Sequence, residues 1–179
     1  MARAPVLDLA GAEWDVAADH RQGPRRLVAG AGRIPIGTRV FIEGPYGVQT
    51  GARRTRPKVL LVAGGIGIAP LRALLDALPA RPGDLTLLYR VHDARDVVFR
   101  DELDTLARTR GVRVHYLVGG RQPEGADPLD AAALERLVPD VRDHDVYLCG
   151  PVSMMQRVER ALRRLGLPAR QIHAERFAY

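Results

Sequence analysis

The sequence has a single cysteine, Cys149, in 179 residues. That excludes a disulfide framework, an iron–sulfur cluster held by thiolates and a cysteine-based zinc site; no metal is expected. Aromatic residues make up only 5% of the chain. None interleaves with the main basic cluster, Arg53, Arg54, Arg56 and Lys58. A base-stacking surface needs such rings, so no nucleic-acid partner is expected despite a net charge of +6. The other arginines are scattered among acids, as in Arg100-Asp101-Glu102. No run reaches the roughly 20 apolar residues of a membrane span. The first residues also lack the uninterrupted apolar core of a secretion signal, so the chain as given reads as soluble. There is no internal repeat and no low-complexity tract.

What is present is enough for one good core: 46% of residues are hydrophobic. The chain is organised around KVLLVAGGIGIAPLRALLDAL, Lys58 to Leu78. Lys58 to Ala63 is a short apolar run, and the Gly64-Gly65 that ends it favours a strand over a helix. Leu71, Leu74, Leu75 and Leu78 then fall on one face of a helix. Between them, Gly64, Gly65 and Gly67 allow close backbone approach, and Pro70 suits the first position of a helix. The product is a helix N-terminus with free amides, a place for a phosphate. A plain tight turn is the alternative.

Upstream, residues 1–33 are the least readable, Thr38 to Glu43 alternates as a strand, and Gly44-Pro45-Tyr46-Gly47 breaks it. Thr50 to Pro57 reads as a polar, basic linker. Downstream, strands and helices alternate: strand Leu85–Val91, helix through Leu103 and Leu106 to about Arg110, strand Val112–Val118, helix Leu129–Val138, strand Asp145–Cys149. An amphipathic helix follows on Val152, Met155, Val158, Leu162 and Leu165, then a terminal extended segment Gln171–Phe177. Such alternation predicts an α/β fold with a doubly wound, five-stranded parallel sheet. Ligands on these sheets bind beyond the carboxyl ends of the strands. The loops at 64–70, 90–96, 119–123 and 149–153 would share that rim. From Gly65 the turn reads G-x-G-x-x-P, not the common dinucleotide fingerprint, and no acidic residue is obvious where a ribose diol would be held.

The ordered set AGGIGIAP, YR, GGR, LCGP and a terminal Glu-x-aromatic, with GPYG ahead of it, resembles the ferredoxin–NADP⁺ reductase superfamily over about residues 38–179. HAERFAY and VVFRDEL look most like its ferric reductase and NADPH oxidase-like branch. The resemblance implies a Rossmann-like NAD(P)H-binding domain over 53–179, with 1–52 a partial remnant of a flavin-domain β-barrel and linker. Gly64, Gly65, Gly67, Ile68 and Pro70 would face the pyrophosphate of the pyridine nucleotide. Cys149, Gly150 and Pro151 match the loop beside the nicotinamide; a small buried residue at a strand end is the other reading of Cys149. Glu175 matches a carboxylate near the transfer site, or is a solvated charge. Phe177 matches the terminal aromatic that covers the flavin, although Ala178 and Tyr179 extend past it and Tyr179 could take that place. Arg121 falls where an arginine pairs with a 2′-phosphate, and Arg90 is a second such candidate. The cofactor leans to NADPH over NADH.

The implied activity is hydride transfer from nicotinamide to FAD, with electrons passed on to an iron, haem or other acceptor. The alternative is a nucleotide-binding or interaction module without catalysis of its own. The expected location is the cytoplasm, with membrane contact only through an upstream domain of a parent reductase. About 50 residues precede the nucleotide domain, and no Arg-x-Tyr-Ser-type flavin motif is among them. FAD would therefore sit on a flavin domain supplied in cis by a parent protein or in trans. The purified chain is expected to be colourless in the visible; stoichiometric yellow flavin would contradict this reading.

Overall fold

A strand buried on both faces reads as a continuous apolar run, and the sheet has two of them at its centre. In the computed structural model, residues 49–119 and 127–175 are described. They contain β1 (Lys58–Gly64), β2 (Leu85–Val91), β3 (Arg113–Val118), β4 (His144–Cys149) and β5 (Ile172–Glu175). The strands lie in the order β3-β2-β1-β4-β5, all parallel. Every residue of β4, and all of β1 after Lys58, is buried.

Helices α1 (Ile68–Ala77), α2 (Arg100–Arg110), α3 (Ala131–Leu137) and α4 (Val152–Arg164) complete the fold. The pleat of β1 divides the core. Val59, Leu61 and Ala63 join Leu71 and Leu75 of α1 and Leu103 of α2 on one face. Leu60 and Val62 join Leu134 of α3 and Met155, Val158 and Leu162 of α4 on the other. The chain runs outward from β1 through β2 to β3, then returns to place β4 on the opposite side of β1. That reversal opens a crevice above the β1 and β4 ends, the expected ligand position on such a sheet.

The expected α/β class, strand number and parallel sheet are all present. Two details differ. The first helix begins at Ile68, two residues before Pro70, because a 3-10 turn at Gly65–Gly67 already starts the helical stack. The helix expected over 129–138 is only Ala131–Leu137. Asp130 caps it by accepting from Ala133 N at 2.8 Å, while Leu129 and Val138 stay buried just outside. The strand expected at Thr38–Glu43 and the Gly44–Gly47 break lie outside the described residues, as does the end of the terminal segment beyond Glu175.

The polar stretch expected as a linker is fastened to the sheet. It runs along β4: the Gln49 amide donates to the Leu148 carbonyl at 3.0 Å, and the Tyr147 hydroxyl donates to the Thr50 carbonyl at 3.0 Å. The fully buried carboxylate of Asp145 accepts from Thr55 N, from Thr55 Oγ1 at 3.1 Å and from Arg56 N at 2.6 Å. His173 stacks on Tyr147 with ring centres 4.6 Å apart and brings Nε2 within 3.4 Å of Asp145. A buried carboxylate is tolerated only when its lone pairs are filled this way. Asp145→Ala strands these donors and is expected to cost about 3 kcal/mol, read as a lower urea midpoint with an unchanged slope. Asp145→Asn keeps one acceptor oxygen and should cost about half as much.

Candidate nucleotide site

The crevice is built by glycines of two kinds. Gly64 ends β1 against the turn that follows β4: a Cβ there would lie 2.7 Å from Met154 Sδ and 2.8 Å from Pro151 Cδ. A Cβ on Gly67 would fall on the Cys149 carbonyl oxygen. Gly150, at φ +154°, would put a Cβ 2.9 Å from the Gly64 Cα. These three are packing glycines, and they let the β1 and β4 turns touch backbone to backbone. Gly65 differs. It has φ +52°, and a Cβ there would meet nothing within 4 Å. Its face is open, and the space above it suits a ligand's approach.

The 3-10 turn changes where donors are found. The Ile68 N–H is already bonded to the Gly65 and Ile66 carbonyls. In a helical stack the first amides are the ones left without intrahelical partners, and in a 3-10 turn capped at Gly64 these are the amides of Gly65 and Ile66. No side chain caps α1. The Ile68 side chain is fully buried, so this residue offers the site backbone only. Pro70 is third in α1 and half-buried; it removes a donor the first turn can spare.

On the other side of the crevice, strand register aligns Cys149 with Ala63 of β1 and Glu175 of β5. Cys149 is fully buried. Burial pushes its thiol up, the Gln49 amide pulls it down and the Glu175 carboxylate pushes it up again. The thiol stays neutral at neutral pH, suited to packing rather than to nucleophilic work. Glu175 is half-buried at the end of β5. Pro151 and Gly150 are set at the mouth of α4.

At the β2 end, Arg90 is paired in register with Gly64 and donates to the Leu117 carbonyl at 3.3 Å. Asp93 and Asp96 form a reciprocal cap around Arg95. Asp93 accepts from Arg95 N at 2.9 Å, Nε at 3.2 Å and Nη2 at 3.0 Å. The Arg95 side chain and backbone hold the Asp93 carboxyl at about 2. Arg121 and Phe177 lie outside the described residues, as does Tyr179.

Sequence reasoning passed over Gln49 and the apolar rim. Four large hydrophobic residues are exposed among the described ones: Ile66, Phe99, Val118 and Val152. They follow or end β1, β2, β3 and β4 in turn, so all four belong to the carboxyl rim. Phe99 also has φ +58°, rare for a residue with a side chain. The apolar spacing had placed Val152 on the amphipathic face of its helix. No group of three or more His, Cys, Asp or Glu residues suited to a metal occurs among the described residues.

Residues 61–160 match the oxidoreductase NAD-binding domain family. The chain belongs to that family, the NAD(P)-binding domain of the ferredoxin–NADP⁺ reductase superfamily. It is 39% identical over 145 residues to the ferredoxin reductase component of 3-ketosteroid-9-alpha-monooxygenase from Mycobacterium tuberculosis, covering 79% of this chain and 39% of that protein. It is 30% identical over 167 residues to the ferredoxin–NAD(+) reductase component of the alkene monooxygenase system from Xanthobacter autotrophicus, covering 86% of this chain and 51% of that protein. The chain thus spans about half, or less, of these relatives. Among solved structures, it resembles the flavohem-like FAD/NAD-binding domain of nitric oxide dioxygenase from Vibrio cholerae with a TM-score of 0.52 and 29% identity, covering 69% of this chain and 52% of that one.

The two kinds of glycine should respond differently to alanine. Gly67→Ala drives a methyl into backbone and is expected to cost about 3 kcal/mol, read as a lower melting temperature. Gly65→Ala has space and pays only for its φ, about 1–2 kcal/mol. Its methyl stands where the phosphate would approach, so nucleotide affinity should fall about tenfold, ~1.4 kcal/mol. Calorimetric titration of the folded variant checks this.

Proposed function

We propose that the chain is the NAD(P)H-binding half of a flavin-dependent oxidoreductase. It binds the pyridine nucleotide across the crevice between the β1 and β4 turns and presents the nicotinamide to FAD held by a flavin domain, in cis or in trans. The observation that carries this is the pair of turns where strand order reverses: Gly65 leaves open space on the β1 turn, while Gly64 and Gly67 pack it against the Cys149-Gly150-Pro151 turn. The bound nucleotide supplies the hydride; the protein supplies binding and orientation.

The Gly65–Gly67 turn takes the pyrophosphate on its backbone amides, with Pro70 shaping the first turn of α1. Gly150 keeps the floor thin beside the nicotinamide, and Cys149 supports it from below as a neutral, polarisable group. Glu175, level with Cys149, is the carboxylate placed to orient the nicotinamide. Phe177 is proposed as the ring that shields the flavin. The exposed Ile66, Phe99, Val118 and Val152 form an apolar rim, which supports a surface covered in the complete enzyme by nucleotide and flavin domain.

The cofactor is proposed as NADPH. The acids after β2 are committed to their own turn around Arg95, which leaves no free carboxylate for a ribose diol. Arg90 stands at that strand end, and Arg121 is proposed as the second phosphate contact. Electrons then pass onward to an iron or haem acceptor in the cytoplasm, in line with the names of the relatives.

NADPH is expected to bind about fivefold tighter than NADH, ~1 kcal/mol, at low salt, with the gap closing as salt is raised. Calorimetry on the intact chain reads both. Equal or tighter NADH binding would overturn the cofactor choice, and binding of neither would overturn the function. Nucleotide binding without flavin reduction, when a flavin domain is supplied, would favour a non-catalytic module.

A further inference from the structure

Gln49 sits between the segment entering the domain and the turn that ends β4. Its Nε2 donates to the Leu148 carbonyl at 3.0 Å, across 99 positions of sequence. That bond sets the same amide beside the Cys149 thiol, where it opposes the upward push of burial on that group. Its other end is peculiar: Oε1 is buried and has no hydrogen-bond partner. A side-chain amide normally rotates to relieve such an orphan. Here rotation would set the oxygen against the Leu148 carbonyl, so the donor bond fixes the orientation. A buried acceptor left unpaired costs roughly 1–3 kcal/mol. Gln49 therefore holds a costly arrangement at the end of β4, where an apolar side chain would pack without that cost.

From this we infer that Gln49 is a positioning residue for the nicotinamide end of the site: its amide fixes the Leu148-Cys149 backbone and the Cys149 side chain beneath the ring. The inference rests on the nucleotide reading above. It also ties the segment that precedes β1 directly to the end of β4. Neighbouring bonds hold that segment independently, at Thr50 to Tyr147 and at Thr55 and Arg56 to Asp145. Loss of Gln49 should therefore leave the strap in place and move only the Cys149 end.

The test uses Gln49→Met, which keeps the length and loses the donor, and Gln49→Glu, which keeps the shape and adds a charge facing Glu175. Two quantities are measured on the intact chain. One is the ionisation of Cys149, the sole thiol, followed by its thiolate absorbance against pH. The other is calorimetric affinity for NADPH and NADH, each compared with its counterpart lacking nicotinamide, 2′-phospho-ADP-ribose or ADP-ribose. Removing a donor to the thiolate raises the thiol pKa, so the Met variant should titrate at higher pH than wild type, and the Glu variant higher still. Affinity for the dinucleotide should fall about three- to tenfold while affinity for the nicotinamide-free ligand stays unchanged. An unmoved thiol titration overturns the inference. So does a loss shared equally by both ligands, which is what a merely structural strap would give, or a wild type that gains nothing from the nicotinamide. Failure of wild type to bind any of the four ligands would instead sink the nucleotide reading, with the thiol titration still deciding the Gln49–Cys149 contact.

Discussion

Everything at the carboxyl rim depends on how closely two turns approach. The β1 turn and the β4 turn meet through Gly64, Gly67, Cys149 and Gly150, with no room for a Cβ at any of the three glycines. Strands in a parallel sheet sit about 4.8 Å apart, and most loops that leave such a sheet diverge to make room for side chains. These two stay in contact beyond the sheet. One consequence is that the open face of Gly65 and the mouth of α4 share a single floor. Another is that a shift of the β4 turn is felt by the Gly65–Gly67 turn, because Gly67 rests directly on the Cys149 backbone.

The segment before β1 reinforces the same strand. It is held along β4 at three heights, by Gln49 to Leu148, Thr50 to Tyr147, and Thr55 with Arg56 to Asp145. The side chains of Tyr147 and Cys149 point into the α1 and α2 side of the core. The strap is thus a third element on that side, closing the sheet where neither helix reaches. A buried Asp145 is a costly anchor by itself. Its three donors come from adjacent residues of one segment, so the carboxylate is satisfied only when the strap is seated. That makes strap and sheet one cooperative unit and gives the entering chain a defined direction.

Most of the fold was legible because its signals are local. β2 has the bounds its apolar run implies, Leu85–Val91. The heptad-like leucines of α1 are buried as their spacing requires. Boundaries set by capping were less legible: Asp130 shortens α3, and the 3-10 turn moves the start of α1 ahead of Pro70. Periodicity was incomplete at Val152. It continues the apolar face of α4 in sequence, yet it stands at the first turn, where that face emerges from the core onto the rim. The glycine turn was visible as a turn, but the separate jobs of its glycines were not. Only the approach of residues 149–151 distinguishes Gly67 from Gly65. Gln49 and Asp145 carried no local signal at all, since their partners lie about 90 or more positions away.

Cys149 is a packing group rather than a reactive one. Its thiol is fully buried and pushed upward, so it keeps its proton at neutral pH. What it contributes is a small polarisable surface at a fixed height, set by register against Ala63 and Glu175. Phosphate turn, thin floor and apolar rim likewise constrain only the nucleotide and whatever lies flat above it. None of these features encodes an electron acceptor. The chain is similar both to a ferredoxin reductase component of a steroid monooxygenase and to the FAD/NAD-binding domain of a nitric oxide dioxygenase. That pattern is expected when function resides in sites added to a common scaffold.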